Sequence, residues 1–150
     1  MIQGRRVVFD TSTLISAALR PSSLADRALA TAFEFGVVCI CEPLLERLRS
    51  VLVRSKWDRY MGKRARLGFV EMLRGAGWNC VVEAPDLAAV RHSARDREKN
   101  IILALAAVAE PDAIISTVPE LLSRKTWRRV PIVTPVEFLS WYGSAPLRRS

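Results

Sequence analysis

A carboxylate, Asp10, closes the apolar run Val7, Val8, Phe9, and two hydroxyl residues, Thr11 and Ser12, follow it directly. An acid at a strand end with hydroxyls beside it can hold a hard cation, directly or through water. The same residues also suit a plainer task, since Asp at a strand-to-helix junction is a routine helix cap. Two other strand ends have polar character: Ser116 with Thr117, and the turn from Cys41 to Glu42. In an open parallel sheet, ligands gather beyond such ends. Softer metal chemistry has no ligands to work with. His92 is the only histidine, and Cys39, Cys41 and Cys80 form no C-x-x-C pair, so neither a structural zinc site nor a disulfide framework is expected. Cys39 and Cys41 alternate along an apolar segment and read as small buried hydrophobes. Phosphotransfer of the D-x-D type lacks its second acid, because Ser12 stands there, and no glycine-rich nucleotide fingerprint occurs.

These residues must be positioned by a fold, and the composition permits one. The chain has 150 residues, of which half are hydrophobic, enough to bury a real core and to exclude a disordered reading. One domain, 1–150, is expected, with a core of about 5–142 and a tail, 143–150, that frays. Lys and Arg outnumber Asp and Glu by 23 to 15, giving a formal charge of +8, so an anionic partner such as nucleic acid is expected. No uninterrupted apolar run reaches the length of a membrane span, and the first residues lack a signal-peptide core. A cytoplasmic location without a membrane partner is the expectation.

Short β-branched runs alternate with longer segments of helical period. Strands are predicted at 7–10, 37–41, 80–83, 113–116 and 130–134, which argues for α/β architecture with a mostly parallel sheet of about five strands. A helix begins at Ser12 and stops before Pro21; Ser22 or Ser23 caps a second, Leu24 to Phe35, that Gly36 ends. Leu44, Leu45, Leu48, Val51 and Leu52 mark the buried stripe of a third. The stretch RSKWDRYMGKRARLGFVEMLR (54–74) has Asp58 and Glu71 as its only acids and interleaves Trp57, Tyr60 and Phe69 with its cations. A basic helical pair there suits phosphate contacts and base stacking; alternatively the aromatics pack inward and the cations form a solvated face. Residues 98–109 are almost wholly apolar after the first turn and predict an inner helix, and Pro135 opens a closing one.

Four segments together, DTSTLISAAL, EPLLERLRSVLVRSKW, RDREKNIILALA and IVTPVEFL, resemble the PIN-domain family in order and spacing. The likeness covers roughly residues 5–141 and is most similar to the toxin-like branch of bacterial toxin–antitoxin systems (VapC-like). It implies a three-layer α/β/α sandwich and a metal-dependent endoribonuclease, in which about four carboxylates gather Mg²⁺ or Mn²⁺ to activate water against a phosphodiester. It also implies RNA and a small antitoxin-like protein as partners, with a homodimer as a family-level expectation.

Transferred position by position, the family pattern falls on this chain unevenly. The first acid falls on Asp10, which would be the one metal ligand retained, and its polar neighbour on Ser12. The second falls on Arg47, with Glu46 displaced by about 100 degrees on the helix. The third falls on Lys99, with Glu98 off by one and Asp96 matching a further acidic position. The fourth falls on Val118, with Glu120 two residues later. Three central acids are therefore replaced, and an ion pair of Asp10 with Lys99, Arg47 or both is expected in place of a tightly bound metal. Three functions follow as alternatives. One is an RNA-associated protein with reduced or lost cleavage, its nucleic-acid contacts drawn from Ser12, Arg47, Lys99, Ser116 and Thr117. Another is an active Mg²⁺- or Mn²⁺-dependent ribonuclease using Asp10 with shifted catalytic acids Asp96, Glu98 or Glu120. The last is a non-catalytic interaction scaffold.

Overall fold

The computed structural model describes residues 5–91 and 97–142, with Arg97 and Glu98 described in backbone only. The expected tail, 143–150, and Asp96 lie outside the described residues. Six strands, β1 (Arg5–Phe9), β2 (Gly36–Ile40), β3 (Trp78–Asn79), β4 (Ala113–Ile115), β5 (Thr126–Trp127) and β6 (Val130–Val133), form one sheet in the order β3-β2-β1-β4-β6-β5. All neighbours are parallel except β5 and β6. Val7 pairs with Val38 on one side and Ala113 on the other, which makes β1 a central strand. Its continuous apolar run is what a strand covered on both faces requires.

The helices are α1 (Thr11–Leu19), α2 (Leu24–Phe35), α3 (Glu42–Leu52), α4 (Lys63–Ala76), α5 (Ala84–Val90), α6 (Arg97–Ala109), α7 (Pro119–Leu122) and α8 (Pro135–Tyr142). On one face of the sheet α2 packs against α8, and Phe9 meets Phe138 edge-on with centroids 6.5 Å apart. On the other face lie α3, α4 and α6, with α1 touching all three. Ile102 to Ala106 are all buried, so α6 is the inner helix that its composition predicts. Among the described residues no helix is long and apolar enough to cross a membrane.

Ser23 caps α2 by accepting from the Asp26 amide at 3.2 Å. Helix α2 ends at Phe35 and β2 starts at Gly36 with no residue between them. A Cβ at Gly36 would lie 2.1 Å from the Arg5 carbonyl oxygen, so only glycine permits this close approach to β1.

Two strand predictions need correction. The third strand is Trp78–Asn79, not 80–83, because Gly77 ends α4 directly against Ile40 and β3 pairs at once with Cys39 and Ile40. Residues 81–83 then lead into α5, whose first turn Glu83 and Asp86 close by a reciprocal capping box. The sheet also has a sixth strand, β5, too short to leave a periodic signal. It returns on β6 through Arg128 and Arg129, which both adopt positive φ, 49° and 72°. A two-residue hairpin demands that geometry, usually from Asn-Gly.

The basic stretch 54–74 is a 3-10 turn (Ser55–Trp57) followed by α4, rather than two α-helices. Inside it Arg66 is fully buried, contrary to a uniformly solvated basic face. Its Nη1 donates to the carbonyls of Leu52 (2.8 Å) and Arg54 (2.7 Å), and its Nη2 to the Asp58 carboxylate. The last carbonyls of a helix lack intrahelical donors. Arg66 and the Trp57 indole, which donates to Val51 O at 3.0 Å, supply them to α3.

Candidate active-site cleft

Strand β1 delivers Asp10 to the sheet's carboxyl edge, where its amide donates to Ile115 O at 3.1 Å and extends the ladder one residue. The backbone turns there, and Asp10 becomes the N-cap of α1, its Oδ1 accepting from the Thr13 amide at 2.8 Å. Next door, at the end of β4, the Ser116 hydroxyl donates to Asp10 Oδ2 and accepts from the Val118 amide at 2.9 Å. Both carboxylate oxygens are thus engaged by protein donors. Asp10 is 2% exposed, and burial pushes its carboxyl above the usual range, opposed by the Ser116 and Thr13 hydrogen bonds and by the charge of Lys99.

Lys99, in the first turn of α6, places its Nζ 3.3 Å from Glu120 Oε1 in α7. Its ion pair is therefore with Glu120, while it reaches Asp10 electrostatically. That differs from the direct Asp10 pair expected from the sequence. The Asp10 oxygens accept instead from the Thr13 amide and the Ser116 hydroxyl.

Of the other expected site residues, Arg47 is half-buried on α3, the helix that packs on both α1 and α6. Glu46 is exposed. Ser12 and Thr117 are exposed at the same edge of the sheet, whereas Ser116, expected to contact nucleic acid, is fully buried and uses its hydroxyl on Asp10. Val118 fills the fourth acidic position, and its contribution is the backbone amide that orients Ser116. Asp96 and the Glu98 side chain lie outside the described residues. Sequence reasoning missed the Thr13 amide and the Val118 amide. Only the cap spacing, Asp10 to Thr13, offered a signal for the former.

The resemblance implies a divalent ion at this edge of the sheet. Mg²⁺ takes one or two carboxylates and fills its remaining positions with waters or substrate phosphates, and Mn²⁺ likewise prefers carboxylate, carbonyl and water oxygens. The described residues supply Asp10, which accepts one hydrogen bond at each oxygen, and Glu120, paired with an ammonium. Among the described residues no three acidic, histidine or cysteine side chains converge. Among the described residues, the carboxylates that such an ion would take are engaged by Ser116, Thr13 and Lys99. Cys39 and Cys41 are both fully buried, with burial raising their thiols to about 12 and about 11, so neither offers a thiolate.

The PIN domain family model matches residues 6–117, a span that includes Asp10, Arg47, Lys99 and Ser116. No curated protein matches the sequence. Among solved structures, the crystal structure of VapBC2 from Rickettsia felis bound to a DNA fragment from their promoter is similar, with a TM-score of 0.64. The two share 10% sequence identity over 86% of this chain and 98% of that one, a likeness of fold. Central parallel strands, an acid at the end of β1 and a family match over most of the length agree: this chain belongs to the PIN-domain family.

Proposed function

We propose that this chain is a single-domain, toxin-type PIN protein that associates with RNA and whose metal-dependent ribonuclease activity is reduced or lost. One observation carries the reading: a lysine ammonium, that of Lys99, lies against Glu120 and within electrostatic reach of Asp10, the neighbourhood that a catalytic cation would share. At 3.3 Å and an effective dielectric of about 20, such a pair attracts by roughly 5 kcal/mol before desolvation and screening. Both partners are partly exposed, so the net gain is of order 1 kcal/mol or less. A divalent ion entering here competes with Lys99 for Glu120 and shares Asp10 with the Ser116 and Thr13 donors.

The charge of +8 supports RNA as the partner, because replacing acids by Arg47 and Lys99 makes the same edge more attractive to phosphate. A small antitoxin-like protein belongs to the same reading, on the likeness to the VapBC2 complex. A homodimer and a cytoplasmic location are part of it by family. The second reading, an active Mg²⁺- or Mn²⁺-dependent enzyme, draws on the placement of Glu120 beside Lys99, which leaves two carboxylates near one cation site, with Asp96 and Glu98 as further donors.

Incubating the purified protein with a mixed RNA pool, with and without Mn²⁺, beside Asp10→Asn separates the two. The expected result is RNA retention with no Mn²⁺-dependent cleavage above the mutant's background. Mn²⁺-dependent cleavage that Asp10→Asn abolishes would establish the active reading instead.

A further inference from the structure

We propose that residues 54–64 form a preorganised ledge for single-stranded nucleic acid, separate from the Asp10 cleft and continuous with it along α3. Arg54, Lys56, Arg59, Lys63 and Arg64 are all exposed here, and among the described residues none forms an ion pair. The single acid of the segment, Asp58, is bound by the buried Arg66 guanidinium, so it does not offset the outward cations in the way a free carboxylate would. Positive charge is thus sorted: one guanidinium faces inward and ties the loop, and five cations face solvent.

The aromatics are arranged to match. Trp57 is held by its indole bond to Val51 O, and Tyr60 lies beside it with ring centroids 6.0 Å apart. Lys56 sits over the Trp57 ring at 4.7 Å, and the Arg59 guanidinium over the Tyr60 ring at 5.7 Å. Tyr60 is 56% exposed, so much of its ring stays open to solvent beside these neighbours. A guanidinium–aromatic pair at the surface is a platform on which a base can stack, while flanking cations take phosphates. Stacking requires an unpaired base, which selects a single strand over a duplex. An acidic protein segment would use the cations but has no need of the ring.

Rigidity lowers the ordering cost of binding. Arg66 fixes the carbonyls of Leu52 and Arg54 together with Asp58, so the loop is tied at both ends before any ligand arrives. Helix α3 ends at Leu52, five residues or about 7.5 Å of helical rise beyond Arg47, and Arg54 follows two residues later, so a strand on the ledge can run along α3 toward the Asp10 edge.

The proposal rests on the RNA-associated reading, and its test distinguishes the two. Fluorescence anisotropy with a labelled mixed-sequence single-stranded RNA 20-mer, titrated across KCl concentrations, would be run on the wild type, Tyr60→Ala, and the triple variant Arg54→Gln, Arg59→Gln, Lys63→Gln. These side chains are exposed, and circular dichroism would confirm the fold. The triple variant is expected to lose roughly tenfold or more in affinity, and its salt slope to fall by about 2. Tyr60→Ala is expected to lose roughly fivefold or more with the slope unchanged. If the wild type binds RNA and the triple variant binds equally well with the same slope, the ledge is wrong and RNA association stands. If the wild type does not bind, both fall. An acidic 20-residue peptide that binds as tightly as RNA, indifferent to Tyr60→Ala, would overturn the ledge in favour of a protein partner.

Discussion

Asp10 and Arg66 are buried to almost the same depth, 2% and 0% exposed, and each sits at the end of a helix. Asp10 puts negative charge at the N-terminus of α1, where free amides accept it; Arg66 gives donors to the C-terminal carbonyls of α3. Both placements follow the helix dipole. What separates them is their surroundings. Arg66 is enclosed by backbone acceptors and acts as a tie, whereas Asp10 borders an exposed edge carrying Ser12, Thr117, Lys99 and Glu120. A buried charge is structural or functional according to what lies beside it, and burial alone does not say which.

The largest expected effect lies on the Arg66 side. Arg66→Met leaves the Leu52 carbonyl without its donor and the Arg54 carbonyl with the Trp57 amide alone, and should cost about 3 kcal/mol, read as a lower urea midpoint. Asp58→Asn should cost less than about 1 kcal/mol, because that carboxylate is 62% exposed. Equal losses in the two variants would mean the tie is an ion pair and not a helix-end device, and the contrast with Asp10 would narrow. On the other side, Lys99→Asp combined with Val118→Asp should turn the cleft into a cation site. Mn²⁺ at about a hundred times its Kd would then stabilise the double variant by roughly 2.7 kcal/mol and leave the wild type unmoved. A wild type that Mn²⁺ stabilises equally would break the comparison at its centre.

The pH response sharpens it further. Burial raises the Asp10 carboxyl above its unfolded value of 3.8, so the folded chain holds that proton more firmly than the unfolded one. Its contribution to stability is fullest in acid and is lost as pH rises through the window above 3.8. Asp10→Asn removes that loss, so its stability relative to wild type should grow between acid and neutral pH. Parallel stability curves for the two proteins would show that the carboxylate is as well solvated as an ordinary surface acid. The smallest effect belongs to a site remote from both charges. Arg128→Asn with Arg129→Gly places the residues a two-residue hairpin favours and should add about 0.5–1 kcal/mol, measured by thermal unfolding.

Much of this was legible in the residues. The apolar runs at β1, β2, β4 and β6 and the stripes of α2, α3 and α6 announce themselves by period, and the ordered segments point to the family. Asp10 could be read because a lone acid ending an apolar run is conspicuous. Arg66 could not, since one inward guanidinium among many outward cations leaves no mark on composition. Strand β3 was misplaced because two exposed residues, Trp78 and Asn79, pair through backbone while the more apolar Val81 beyond them stays outside the sheet. One donor to Asp10 was hidden for a similar reason: the Ser116 hydroxyl carries no sequence signature of its partner, whereas the Thr13 amide is signalled by cap spacing.

The seam between α2 and β2 has a consequence for how this chain can change length. With no loop residue between Phe35 and Gly36, the stretch from the Ser23 cap to Cys41 is a ruler with no slack. One inserted residue there would invert which side chains of β2 face each layer, turning Cys39 and Val38 about the sheet plane. Reporter tags, insertions and deletions should therefore be tolerated at the exposed turn near Arg20 and Pro21 and refused at this seam.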